Sequence, residues 1–435
     1  MKVKIYKDLS TFLCMLTLYW VMFSGFFTYT FGIPESIFYA SDVFILLLLF
    51  IEIRKIKKVI CSGSLKIPAL CVLAVLVVGF ISAFVLGFST VRIIWAIRNW
   101  GRFFVYFAIC VCVLDRQKID RVINFFLKFI HINFVFIIIQ FLFLHSFYSQ
   151  DALNGFLGRG TSSINLIYCM IVSILTISAF KTNNLSKNKM IIIMFELAII
   201  AILAELKANI LFIALLYILG TFVTRKFTVK QILKNISTVV LVCIVALIAM
   251  NVLVRFYPQF KDILTWDGLW EQMAGEHGYG NVGYINRLTA VSVINKYFFD
   301  TRGFFFKLFG MGIGNAEYSK FPMFTSPFYQ FYGEIFGYLG FSSADLYLEV
   351  GMLGLVFFCL FHINLIIDTY KKIKDNIFGD TFYYCIGYLT AIFAFILIIY
   401  NNLHRTDVSI ILAFFLAIPF AAREPFDIEK KRKDG

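Results

Sequence analysis

Charge is scarce in this chain. Asp, Glu, Lys and Arg make up only 15% of the 435 residues, while 60% are hydrophobic and 18% aromatic. An ordinary soluble domain carries about a quarter of its residues as charges, so this composition excludes that class and points to a polytopic membrane protein. Paired acids are missing as well. No D-x-D occurs anywhere, and the first outer loop offers only Glu35, with Asp42 just inside the second helix. Nothing here is set up to hold a metal-bound diphosphate, and neither metal nor other cofactor is expected. None of the nine cysteines falls in the longest outer segment, which excludes a disulfide framework there. Cys110 and Cys112 sit two apart on a helix, point away from each other and read as packing residues. A dinucleotide loop is also lacking, because Gly310, Gly312 and Gly314 run G-x-G-x-G into Asn315 rather than G-x-G-x-x-G. Those glycines are left with a tight turn or a close backbone approach. No internal repeat, low-complexity tract or attached soluble domain is visible, and inverted halves of the transporter kind are not evident.

What the chain has is long apolar runs, such as "FILLLLFIEI", "ALCVLAVLVVGFISAFVLGF" and "YLTAIFAFILIIY". At 1.5 Å per helical residue, about twelve such stretches are long enough to cross a hydrocarbon core of roughly 30 Å. They are expected at 9–31, 36–53, 67–88, 100–114, 122–147, 163–180, 190–204, 208–223, 236–256, 344–367, 382–400 and 408–422. The fold class is therefore all-α and polytopic, with residues 1–256 carrying nine helices and 344–435 carrying three helices and a basic tail. The leader "MKVKIYKDLSTFLCMLTLYW" starts basic like a secretion signal, but its apolar run is too long and lacks a small-residue cleavage site, so it reads as the first anchor.

The net charge of +14 does not indicate nucleic acid, because the basic residues come in short clusters between apolar helices rather than along one soluble surface. Lys2, Lys4 and Lys7, the run "RKIKK" with Lys66, the group Arg225, Lys226, Lys230 and Lys234, and the tail all fall on one side. The positive-inside rule then puts both termini in the cytoplasm. On the other side lies the segment 257–343, far longer than a usual interhelical connection. It is rich in Tyr, Trp and Phe and contains "LTAVSVINKYFF", which predicts an amphipathic helix and an ordered cap rather than a disordered loop.

Several cations break the inside rule: Arg92, Arg98, Arg102, Arg159, Lys207, Arg287 and Arg405. Each alone could reach for a lipid headgroup. Together, at the outer ends of different helices, they could converge on one anionic ligand, since an Arg fork matches phosphate oxygens in bidentate pairs. Arg98 and Arg102 share a helix face at i, i+4 with Trp95 one turn before, and Lys207 sits in a very short turn between apolar helices. A diphosphate is the natural candidate, held by Arg98, Arg102, Arg159, Lys207, Arg287 and Arg405. The outer histidines are His277 and His404, whereas His131 and His362 fall within helices and read as core residues. Glu196 reads as structural; Glu349 could pair structurally or tune a proton transfer. The cap aromatics Trp266, Trp270, Tyr284 and Tyr318 have apolar faces with polar tips, which suits stacking on sugar rings and suits lying on headgroups equally.

This pattern resembles the O-antigen polymerase and ligase superfamily, bacterial inner-membrane glycosyltransferases acting on polyprenyl-diphosphate sugars. The likeness covers most of the chain and rests on the helix number, the large outer loop before the last three helices, and four local matches. These are "GRGTSSIN", "ELKANILFIALLYILG", "INRLTAVSVI" followed by "LFGMGIGN", and "DLYLEVGMLGLVFF". The resemblance implies a GT-C-like fold, with Arg159, Lys207 and Arg287 lining the diphosphate site and the three glycines forming the turn after the cap helix. Family ligases carry a histidine-asparagine pair shortly before the tyrosine-leucine that corresponds to Tyr347 and Leu348; this chain has "SSADLYLE" there, which argues for polymerase over ligase. The expected activity is thus joining undecaprenyl-diphosphate-linked oligosaccharide repeat units outside the cytoplasmic membrane, alongside a flippase and a chain-length regulator. His404, His277 and Asp345 are the candidate bases, none favoured by the sequence, since a base needs reach before pKa. A flippase or other carrier of the same lipid is the runner-up; it predicts charges deep within several helices.

Overall fold

The computed structural model describes residues 2–61, 63–144, 153–158, 162–204, 206–224, 244, 251, 254–255, 266–275, 284–375 and 380–422. Among these there is no strand, and eight helices are long and apolar enough to cross a membrane. The first half runs α1 (Lys2–Phe31), α2 (Ala40–Ile60), α3 (Lys66–Leu86), α4 (Thr90–Val113), α5 (Arg116–Leu144), α6 (Ser162–Lys181), α7 (Lys187–Leu203) and α8 (Lys207–Thr224). Short helices follow in the expected cap: α9 (Trp266–Ala274), α10 (Ala290–Ile294), α11 (Phe304–Phe309) and α12 (Pro327–Phe336). The chain then returns through α13 (Ser342–Asp375), α14 (Thr381–Tyr400) and α15 (Ser409–Ala421). The expected helix 236–256 lies outside the described residues apart from four isolated positions.

The helices sort into a centre and a rim. Every residue of α15 is buried, and α6 and α14 are mostly buried. In contrast, α2, α3 and α5 turn large apolar side chains outward, among them Phe50, Phe84 and Phe143. Because lipid tails are as apolar as leucine, packing contacts and satisfied polar groups hold the centre together more than any gain from burial. Interior hydroxyls accordingly bond their own helices: Ser173 donates to the Cys169 carbonyl at 2.8 Å and Thr369 to that of Leu365 at 2.7 Å.

The expected fourth helix, 100–114, starts ten residues earlier, at Thr90. Its first half carries Arg92, Arg98 and Asn99, which break the apolar run, yet the helix persists because most of these polar side chains meet partners from the rest of the protein rather than lipid.

α13 is the longest element, 34 residues or roughly 50 Å, and it is broken at Gly351 (φ 61°, ψ −166°). Its first stretch, Ser342 to Gly351, is buried at every position. The carbonyls just before the break, of Leu348 and Glu349, accept hydrogen bonds from the amides of Met311 (2.7 Å) and Gly312 (2.9 Å). The next amide, Ile313, donates to Gly79 of α3 at 3.1 Å. The glycine stretch is therefore a backbone wedge between α3 and the broken helix. A side chain at Gly312 would start 2.4 Å from the Ala83 backbone, and φ there is +95°.

The cap has a core of its own, in which Ile294, Phe298, Phe299 and Phe336 pack with Tyr347 of α13. The predicted amphipathic helix appears as α10 running into a π-helical turn, Asn295–Phe299. Tyr347 donates to Asn295 Oδ1 at 2.7 Å, tying that turn to the broken helix. α12 starts as its sequence dictates: Ser326 accepts from the Tyr329 amide at 3.0 Å, Pro327 fills the first turn, and Gly337 ends it in the left-handed conformation.

Candidate functional site

The connection between α14 and α15, residues 401–408, folds back into the bundle beside α4. It reaches Arg102, the thirteenth of the 24 residues of α4, and the polar cluster here takes in Asp42 and Asp345 from the first turns of α2 and α13. Buried non-helical backbone needs its polar groups satisfied by the protein. Here it is satisfied in detail. The Asn401 carbonyl accepts from the Ser342 amide and hydroxyl, both at 3.1 Å, the Asn402 amide group donates to Leu339 at 2.9 Å, and Arg102 donates to the carbonyl of Arg405.

Three arginines and five acids meet around this connection. Arg98 lies over the rings of Tyr39 (5.1 Å) and Trp95 (4.8 Å) and donates to Asp42 Oδ2 through Nε at 3.0 Å. It also approaches Asp407 at 3.8 Å. Arg102 pairs with Asp407, and Arg405 pairs with both Asp345 and Glu317. Asn99 donates to the same Glu317 oxygen at 3.1 Å. Glu349 accepts through Oε1 from the amides of Gly314 (3.0 Å) and Ala316 (3.2 Å), so the glycine turn also cradles a carboxylate.

With five carboxyls against three guanidinium groups, the cluster carries more acid than base when fully ionised. Burial pushes the Glu317 carboxyl up to about 7, with Arg405 pulling it down and Asp345 pushing it further up. Burial opposes the charge on Arg405, but Asp345, Glu317 and Glu349 hold its pKa above the ordinary arginine value. His404 is fully buried beside the cluster, its Nδ1 3.5 Å from Ser342 Oγ and its ring 5.1 Å from that of His362. Burial, followed by repulsion from His362, keeps its pKa well below the usual range, so it is a neutral imidazole at pH 7.

Of the residues singled out in the sequence, Arg98, Arg102, Arg405, Asp345 and His404 come together. Arg287 docks at the start of the same connection: its Nε donates to the Tyr400 carbonyl at 3.2 Å and its guanidinium lies 4.6 Å from the Tyr400 ring. That ring is 5.1 Å from Phe212 in α8, a helix whose first residue is Lys207. The side chain of Lys207 lies outside the described residues, as do Arg159 and His277 and the side chain of Trp266. Trp270, Tyr284 and Tyr318 are exposed on the cap, and Tyr318 packs on Tyr329 at 4.5 Å.

Sequence reading passed over Glu317, Asp407 and Asn99. Glu317 follows directly on the glycine turn in "GIGNAE", and Asp407 stands two residues after Arg405, so both were marked by their neighbours. Of the two acids in the first outer region, Asp42 is the one that reaches the cluster, while Glu35 pairs with Lys320. His131 pairs with Glu196 at 2.7 Å between α5 and α7, away from these residues. No group able to hold a metal ion occurs among the described residues.

The described residues are all-helical and of multi-pass membrane character, with a buried network of arginines and carboxyls where a broken helix, a re-entrant connection and a cap loop meet. No family model matches the chain, and no curated protein sequence matches it.

Proposed function

We propose that the chain is a GT-C-like polymerase with about twelve spans, which joins undecaprenyl-diphosphate-linked oligosaccharide units into a surface polysaccharide outside the bacterial inner membrane. The observation that carries this reading is the network of Arg102, Arg405, Asp345 and Glu317, buried beneath a cap that displays Trp270, Tyr284 and Tyr318, with the partly exposed Asp407 paired to Arg102. Ion pairs this costly to bury suit a site that keeps fixed charges of both signs beside a reaction that moves charge.

In the proposed step a sugar hydroxyl of one lipid-linked unit attacks the anomeric carbon of another. The new C–O bond forms as the bond to the diphosphate breaks, the diphosphate leaves with the electron pair, and the hydroxyl proton passes to a base. Arg98, Arg159, Lys207 and Arg287 are assigned to the diphosphate. Arg98 also pairs with Asp42 but stays partly exposed, whereas Arg102 and Arg405 are buried with their carboxylates and act by positioning them. Among the candidate bases, Asp345 and His404 lie at the network, and Glu317, with a carboxyl at about 7, joins them.

A carrier of the same lipid is the second reading, favoured by Arg102 lying halfway along α4 and by the break in α13, both features of transport sites. The two separate in nanodiscs. The polymerase elongates diphosphate-linked oligosaccharide without nucleotide or added metal, whereas a carrier moves intact lipid across the bilayer without elongating it. Arg159→Ala, Lys207→Ala and Arg287→Ala should each abolish polymer at unchanged protein abundance; normal long chains in all three would remove the site assignment.

A further inference from the structure

An apolar groove of about 230 Å³ opens between α2, α3, α4 and α13, well away in sequence from the re-entrant connection. Val59 and Leu65 line it at one end, Leu73 and Leu76 continue along α3, and Phe104 and Phe361 close it from α4 and α13. From Leu65 to Leu76 the groove follows α3 for about 16 Å. That is close to half of a hydrocarbon core of roughly 30 Å, the depth of one leaflet.

Cations crowd the end at Val59 and Leu65. Lys57 and Lys58 lie in the last turn of α2 and Lys66 opens α3, all three exposed. Lys372 brings the end of α13 to the same place, its Nζ 3.5 Å from Ser64 Oγ. The nearby acids are mostly taken: Glu52 is buried against Ser10 and Lys55, and Asp368 pairs with Lys372. An apolar slot one leaflet deep with a net positive mouth fits a lipid with an acyl chain below and a negative headgroup above.

We propose that this groove binds an anionic phospholipid, one acyl chain lying along α3 and the phosphate resting against Lys57, Lys58 and Lys66. The chain supplies van der Waals contacts to a surface that otherwise faces mobile lipid, and the lysines select the headgroup by charge. The site is independent of the transferase reading, and its test does not measure polymer.

Native mass spectrometry of the full chain, equilibrated with equal amounts of phosphatidylglycerol and phosphatidylcholine of the same acyl composition, provides that test. The unaltered protein should retain phosphatidylglycerol over phosphatidylcholine by roughly tenfold, as the charge attraction of several lysines requires. Lys57→Gln, Lys58→Gln and Lys66→Gln combined should remove the preference while lipid still binds. Ala69→Phe, which fills the groove, should reduce retention of both lipids. The three lysines are exposed, so the glutamine variant does not depend on a repacked core. Equal retention of the two lipids by the unaltered protein overturns the proposal, as does a preference that survives in the glutamine variant.

Discussion

Arg405 carries two carboxylates at once and lends its own carbonyl to Arg102, so a single residue joins α4, α13, the cap and the re-entrant connection. Stripping such a group from a buried pair costs on the order of 3–5 kcal/mol, because the partner carboxylates stay behind without a counter-charge. Lysine is a poor substitute, since one ammonium cannot present the fork that meets Asp345 and Glu317 together. The acid side is tunable at Glu317, which titrates at about 7 when folded against 4.5 as an ordinary glutamate. Its folded form holds the proton more tightly, so its contribution to stability is full below pH 4.5 and is lost as the pH rises through about 7. Glu317→Gln keeps the shape and removes the titration. The thermal midpoint of the unaltered protein in detergent should therefore fall more steeply across that window than the variant's, and parallel curves would show that Glu317 is ionised throughout.

The broken α13 is an element that only glycine permits. At Gly351 the backbone sits at φ 61°, ψ −166°, a region essentially closed to other residues, and a side chain would start 2.4 Å from the Leu308 backbone. Gly351→Ala should lower stability by about 1–3 kcal/mol from the backbone strain alone, with the collision adding to it. Gly340→Ala, where an added carbon meets nothing within 4 Å, is the matched control. Comparable midpoints for the two variants in thermal denaturation would mean that the break tolerates a side chain. At this scale the sequence was only partly readable. Apolar runs gave α2, α3, α13 and α14 to within several residues, because lipid exposure demands unbroken hydrophobicity. Gly351 sits in "LEVGMLG" like any small helical residue, and nothing local marks it as a break. The start of α4 was obscured because its polar residues are paired with distant segments. The site was hidden for the same reason: Arg102 and Asp407 lie 305 positions apart, Arg405 and Glu317 88 apart. A search for paired acids along the chain does not find acids gathered from α2, α13, the cap and the final connection.

On the scale of the whole molecule, α6, α14 and α15 are the most buried of the apolar helices, while α2, α3 and α5 turn much of their surface outward. Backbone amides of the centre should be the last to open, because local opening there must first expel packed neighbours. Hydrogen–deuterium exchange of the protein in nanodiscs should rank α6 and α14 slower than the ends of α2 and α3; equal rates would contradict the division into centre and rim.

That division also settles which helices must fit the bilayer. At 13 residues α15 is only about 20 Å long, too short to cross unaided, yet none of its surface meets lipid. Hydrophobic mismatch therefore has nothing to act on there, and the outer ring absorbs any change of thickness by tilting. Such a protein can move between thick and thin membranes while the floor beneath its arginines and carboxylates stays where it is.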